Sequence, residues 1–142
     1  MENDDYNRLH DYNKVTNQQK LSCATQGTQK IFNGHATFKS SETFKVYQNR
    51  RGHNRPDTLT YVLIHKTSGQ MIRIDVIGAT HEKVPTPHVH IFDAAHNNGR
   101  VAVPLSDFLN YSPTTDIKES LAEFLKYNNF DISGISITEP IV

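Results

Sequence analysis

One cysteine, no excess of either charge and no long apolar run are the first features of this 142-residue chain. Cys23 has no partner for an internal disulfide, so the sequence fits a reducing, intracellular setting. No basic residue stands beside it to lower its pKa, which makes a partly buried small side chain its expected role rather than a nucleophile or metal ligand. The 15 Lys and Arg cancel 15 Asp and Glu. That balance argues against binding nucleic acid chiefly by neutralising phosphates, and equally against an acidic mimic of DNA. No apolar stretch approaches the roughly 18 residues of a membrane span. Met1 is followed by Glu2, Asn3, Asp4 and Asp5, the opposite of a signal peptide's basic start. The expectation is a cytoplasmic protein, of its own cell or of a host. Internal repeats and coiled-coil heptads are also missing.

What is present suits one small domain. A mass of 16.1 kDa allows one ordinary core, and a hydrophobic content of 36% makes it a compact one. Residues 1–30 are rich in Asn, Gln, Asp and Lys, with Tyr6, Leu9, Tyr12 and Val15 spaced by three. They read as a polar arm or a helix near 5–20, lying outside the core. From Ile31 alternation takes over, and residues 31–142 read as a single α+β metal-binding domain. Phe38, Phe44 and Val46 mark short strands about a turn at Lys39–Glu42. A basic loop with Arg50, Arg51, His53 and Arg55 closes at Pro56, a charged exposed turn able to meet an acidic surface. Thr58 to Ile64 is the most β-prone run and predicts a central strand. Gly69 predicts a hairpin into Met71–Ile77, whose Ile72, Ile74 and Val76 share one face while Arg73, Asp75 and Ile77 share the other. His88–Phe92 and Arg100–Pro104 follow as short strands. Asp116 caps a helix with the apolar stripe Ile117, Leu121, Phe124 and Leu125, ended by Asn128-Asn129. Ile135 and Ile137 mark a last strand. The fold class expected is α+β, a mostly antiparallel sheet of five to seven strands with one clear helix in the C-terminal half and a possible one at the N-terminus.

The chemistry concentrates in residues 75–90. In a strand, positions i and i+2 share a face, so His88 and His90 project together while Val89 and Ile91 point to the core. A loop containing Pro85 and Pro87 can bring His81 over that face, and Asp75 approaches from the preceding strand. Asp75, His81, His88 and His90 are thus the expected ligands of a zinc ion, imidazole-rich intracellular sites most often holding zinc. Asp93, His96 or water are the alternatives to Asp75 in fourth position. Glu82 is the candidate general base should the site be catalytic. His10, His35, His53 and His65 are scattered and read as ordinary histidines.

Three enzyme patterns fail on these residues. A cupin needs a glutamate where Ala94 and Ala95 stand. A histidine-triad hydrolase needs a third alternating histidine where Phe92 stands. A zinc-peptidase helix needs a second histidine where Pro85 stands.

Arg73-Ile74-Asp75, Gly78, His81, Pro87-His88-Val89-His90-Ile91, Val103-Pro104-Leu105 and the helix Asp116 to Asn128 resemble a family of small uncharacterised bacterial and prophage proteins, over residues 40–142. Such proteins are similar to phage-encoded, zinc-containing inhibitors of the RNA-guided nuclease of type II CRISPR systems. That resemblance implies a protein partner, the nuclease, whose DNA targeting is blocked, with the metal structural and no catalytic residue. It implies neither sequence-specific nucleic-acid binding nor a membrane. The neutral charge departs from the acidic inhibitors that mimic DNA and points to a protein lobe as target. The other reading of the same residues is a zinc-dependent hydrolase of phosphoesters or amides built on three histidines, with water at an open position.

Overall fold

The computed structural model describes residues 1–52, 55, 57–108 and 110–141. In chain order they form α1 (Asn3–Asp11), β1 (Lys14–Thr16), β2 (Lys20–Ser22), β3 (Gln29–Ala36), β4 (Lys39–Asn49), β5 (Leu59–His65), β6 (Gly69–Ile77), β7 (His88–Ile91), β8 (Ala102–Pro104), α2 (Ile117–Tyr127) and β9 (Ser136–Thr138). Seven strands make one antiparallel sheet in the order β1-β3-β4-β5-β6-β7-β8, the α+β architecture that the alternation pattern predicts. β5 is its middle strand. Gly69, with φ of 87°, makes the turn into β6 that an L side chain would strain.

Strand alternation gives this sheet two chemically different faces. Phe44, Val46, Tyr61, Leu63, Ile72, Ile74, Val89 and Ile91 are buried in the core. Against them α2 lays Leu121, Phe124 and Leu125, with Phe124 stacked on Tyr61 at 5.3 Å between ring centroids. Tyr61 and Ser120 share a 2.6 Å hydrogen bond, so the helix is fixed by a polar contact as well as by apolar burial. Asp116 caps α2 by accepting from the backbone N–H groups of Lys118 and Glu119. The Glu119 carboxylate accepts from Thr114 Oγ1 at 3.4 Å.

The N-terminal segment departs from its sequence pattern. α1 ends at Asp11 rather than near residue 20, and Tyr6, Leu9, Leu21 and Cys23 belong to the core instead of lying outside it. Spacing by three was too short a signal to show where the helix stops, because β1 and β2 are held by long-range pairing. β2 pairs in parallel with β9, forming a second, two-stranded sheet, so the last strand closes on the beginning of the chain and not on the main sheet. Lys14 anchors the arrangement. Fully buried, its ammonium donates to the carbonyls of His10 at 2.8 Å, Tyr12 at 3.0 Å and Asn128 at 2.7 Å. The rings of Phe44 and Phe130 lie 5.0 and 5.8 Å from it.

The turn between β3 and β4 falls at Thr37-Phe38, earlier than the polar run Lys39–Glu42, and a register shift between His35 and Ala36 goes with it. Phe38 is left 92% exposed at this turn, where sequence alone placed it in a strand. Of the basic loop, Arg50 turns back to donate to the Ala24 carbonyl at 2.8 Å. His53 and Pro56 lie outside the described residues. Among the described residues, no helix is long and apolar enough to cross a membrane.

Candidate metal centre

Register determines which polar side chains meet on the face away from α2. Thr60 on β5 pairs with Asp75 on β6, and Asp75 pairs with His88 on β7, so the three stand in one row across the sheet. His90, two residues on, projects from the same face. One nitrogen from each histidine and one Asp75 oxygen lie within 4.8 Å of one another. His88 Nε2 is 2.9 Å and His90 Nε2 3.6 Å from Asp75 Oδ2. Tetrahedral ligands about 2.0 Å from a zinc ion stand roughly 3.3 Å apart, so these separations need little adjustment to hold one.

Hydrogen positions follow from the outer contacts. A carbonyl can only accept, so His88 Nδ1 donates to Val84 at 3.2 Å and His90 Nδ1 donates to Gly99 at 2.8 Å. In the neutral rings both Nε2 lone pairs then point inward. Asp75 is oriented in the same manner: its Oδ1 accepts from Thr60 Oγ1 at 2.7 Å and Arg73 Nε at 3.0 Å, leaving Oδ2 toward the histidines. Burial, the largest influence, works to raise the Asp75 carboxyl, but Arg73 and Thr60 with His88 outweigh it and hold it below the usual aspartate range. Burial also lowers the His90 imidazole, against the opposing pull of the Gly99 carbonyl and Asp75. With both Nδ1 atoms engaged outward, two Nε2 atoms and Asp75 Oδ2 converge, and the 2.9 Å His88 Nε2–Asp75 Oδ2 contact calls for a proton or a cation between its atoms. A cation satisfies such a cluster, and the Asp75, His88 and His90 group can hold a metal ion.

The loop after β6 also has a defined form. His81 and Val84 exchange backbone hydrogen bonds of 3.0 and 2.8 Å across Glu82 and Lys83, whose φ values of 45° and 69° suit a tight two-residue hairpin. This turn places the Val84 carbonyl on His88, and it sets the His81 ring 5.0 Å from that of His90 and 6.3 Å from that of His88. His81 is thus brought beside the cluster, but its Nε2 faces the Arg100 carbonyl at 3.3 Å and it is not part of the three-residue group. Glu82 is exposed at the hairpin tip and does not line the cleft described next. Asp93 and His96 pair with each other, Nδ1 donating to Oδ1 at 2.7 Å, which removes them from the ligand set.

A cleft of about 540 Å³ opens over Asp75, His88 and His90, lined also by Arg55, Thr58, Arg73, Thr80 and His81. The ligands form its floor and are themselves buried. Gly99 is required here: its φ is 88°, and a Cβ would stand 2.4 Å from the Phe92 ring. Sequence reasoning missed both orienting carbonyls, since any residue type supplies one. Strand alternation did place Arg73 on the face of Asp75, but without its role in orienting that carboxylate.

Over residues 1–130 the chain matches a family described as a family of unknown function, DUF6978. The match begins at the N-terminal segment, which the motif resemblance had excluded. No curated protein and no solved structure matches the chain.

Proposed function

We propose, for a chain that belongs to the DUF6978 family, that its function is carried by a single divalent metal ion, zinc by preference, held by Asp75, His88 and His90 with one side open to the cleft. The observation that supports this is the inward convergence of two Nδ1-protonated imidazoles and one anchored carboxylate at the cleft floor. Two neutral imidazoles and a carboxylate suit zinc among the common intracellular ions. Structural zinc sites are closed by four protein ligands, whereas three ligands beside a cavity are the arrangement of hydrolytic centres, and this favours hydrolysis over a sealed staple. When bound, zinc acts as a Lewis acid and lowers the pKa of its water toward 7. The chain's own residues orient the ligands through Val84, Gly99, Thr60 and Arg73, and the walls of the cleft restrict access to the ion. With His81 directed at a backbone carbonyl, the proposed centre has Asp75 and two histidines where the sequence suggested Asp75 with three.

Elemental analysis of protein purified without chelator should find about one zinc per chain. Its removal should lower the melting temperature, because an ion bound only by the folded state stabilises that state. Metal-free protein that neither takes up zinc nor changes its melting temperature on titration contradicts the reading.

A second proposal retains the inhibitor of a type II CRISPR nuclease, with the ion structural, tying β6 to β7, and the partner contact made elsewhere, at the β3–β4 turn. Phe38 favours it, since a 92% exposed aromatic at a turn suits a partner contact better than a lone fold. The purified protein should then be retained by immobilised nuclease, with or without guide RNA, and Phe38→Ala should weaken retention about tenfold or more. No retention in either state retires this proposal.

A further inference from the structure

We infer that the cleft over the metal centre is a phosphate subsite whose ligand is a small phosphomonoester, an inference that rests on the centre proposed above. Two arginines line the cleft against a single carboxylate, Asp75, which is already engaged as a ligand. Arg73 uses Nε to hold Asp75 at 3.0 Å, and among the described residues its two terminal amino groups have no other partner. Its side chain is 49% exposed, so those donors are available in the cleft. Arg55 is tied to the facing loop, Nη1 donating to the Gly78 carbonyl at 2.9 Å, and its Nε and Nη2 form an exposed ion pair with Asp57 at 3.4 and 3.5 Å. It is therefore held in position while retaining donors. The hydroxyls of Thr58 and Thr80 add neutral donors to the same wall.

This chemistry matches a phosphate better than a carboxylate or amide. A phosphomonoester has three terminal oxygens, one for the ion and two for planar guanidinium groups that bind phosphate in pairs of parallel hydrogen bonds. Its double negative charge offsets most of the positive excess that the arginines and a divalent ion leave after Asp75. The size limits the rest of the molecule, since about 540 Å³ is the volume of a small-molecule pocket. The zero net charge of the chain supplies no overall positive excess with which to follow a polyanion, which favours a free phosphorylated metabolite over nucleic acid.

The test is calorimetry on the full chain in three arms: Zn2+ into metal-free protein, then phenyl phosphate into zinc-loaded protein, and last acetate and a single-stranded oligonucleotide into zinc-loaded protein. Zinc should bind one to one, and phenyl phosphate should bind the loaded protein and shift its phosphorus resonance. Arg55→Gln should weaken phenyl phosphate about tenfold while leaving zinc affinity unchanged, with Arg55→Lys recovering part of the loss. Arg73→Gln should weaken both, since it also orients Asp75. Zinc binding without phenyl phosphate binding overturns the subsite alone. So does equal binding of acetate, tighter binding of the oligonucleotide, or an Arg55→Gln affinity equal to that of the parent. Failure of zinc itself to bind overturns the centre and the subsite together.

Discussion

Asp75→Asn should lower zinc affinity by more than about 100-fold, while His81→Ala should lower it less than about tenfold. Removing an outer partner of a metal ligand already costs 10- to 100-fold, and Asp75 supplies the only anionic atom in the cluster. Asparagine keeps the volume and can still accept from Thr60 and Arg73 through Oδ1, but it loses the charge and presents an amide at the Oδ2 position. The His81 nitrogen nearest a partner instead meets the Arg100 carbonyl at 3.3 Å, so its removal leaves the three ligands in place. Competition against a chromogenic chelator measures both affinities. Equal losses in the two variants would restore His81 as a ligand and show that the hairpin closes further when the ion binds.

Lys14→Met, remote from the centre, should destabilise the protein by about 3 kcal/mol. Three backbone carbonyls lose their donor, each such loss costing roughly 1–3 kcal/mol before relaxation. Methionine retains a flexible apolar chain beside Phe44 and Phe130, so most of the loss reports the polar contacts. The pH dependence gives a second signature. Burial, the dominant cause, lowers Lys14 to about 7, with Asp11 pulling it partly back up. An unfolded lysine titrates near ~10.4. Between these values the unfolded chain binds the proton and the folded chain does not, so parent stability gains up to about 1.4 kcal/mol per pH unit as pH rises from 7. The methionine variant lacks this gain, and the difference between the two proteins should widen from pH 7 to 9 in urea unfolding. A constant difference over that range would mean that the three carbonyls keep the ammonium charged when folded.

Both effects arise where the sequence was only partly informative. Asp75, His88 and His90 were legible because strand alternation is a local rule and the residues concerned are chemically distinctive. Thr60 was not, since nothing in a polar β-prone residue announces which carboxylate lies on the next strand. Lys14 was hidden more completely. A lysine in a polar segment ordinarily means solvent, and only the meeting of the end of α1, β1 and the end of α2 creates the carbonyl pocket that buries it.

The sequence by itself determined the antiparallel α+β architecture, the central place of β5, the capped helix α2, and the face shared by Asp75 with the His88–His90 strand. These depend on period-2 alternation, β-branched content and capping residues, all properties of neighbouring positions. The tertiary structure alone decided that the N-terminal segment enters the core, that β9 returns to β2, and that His81 turns to Arg100. It also decided that Val84 and Gly99 aim two imidazoles at one carboxylate beneath a cleft. Those outcomes rest on pairings between residues far apart in the chain and on backbone carbonyls, which every residue carries, so no residue type marks them in advance.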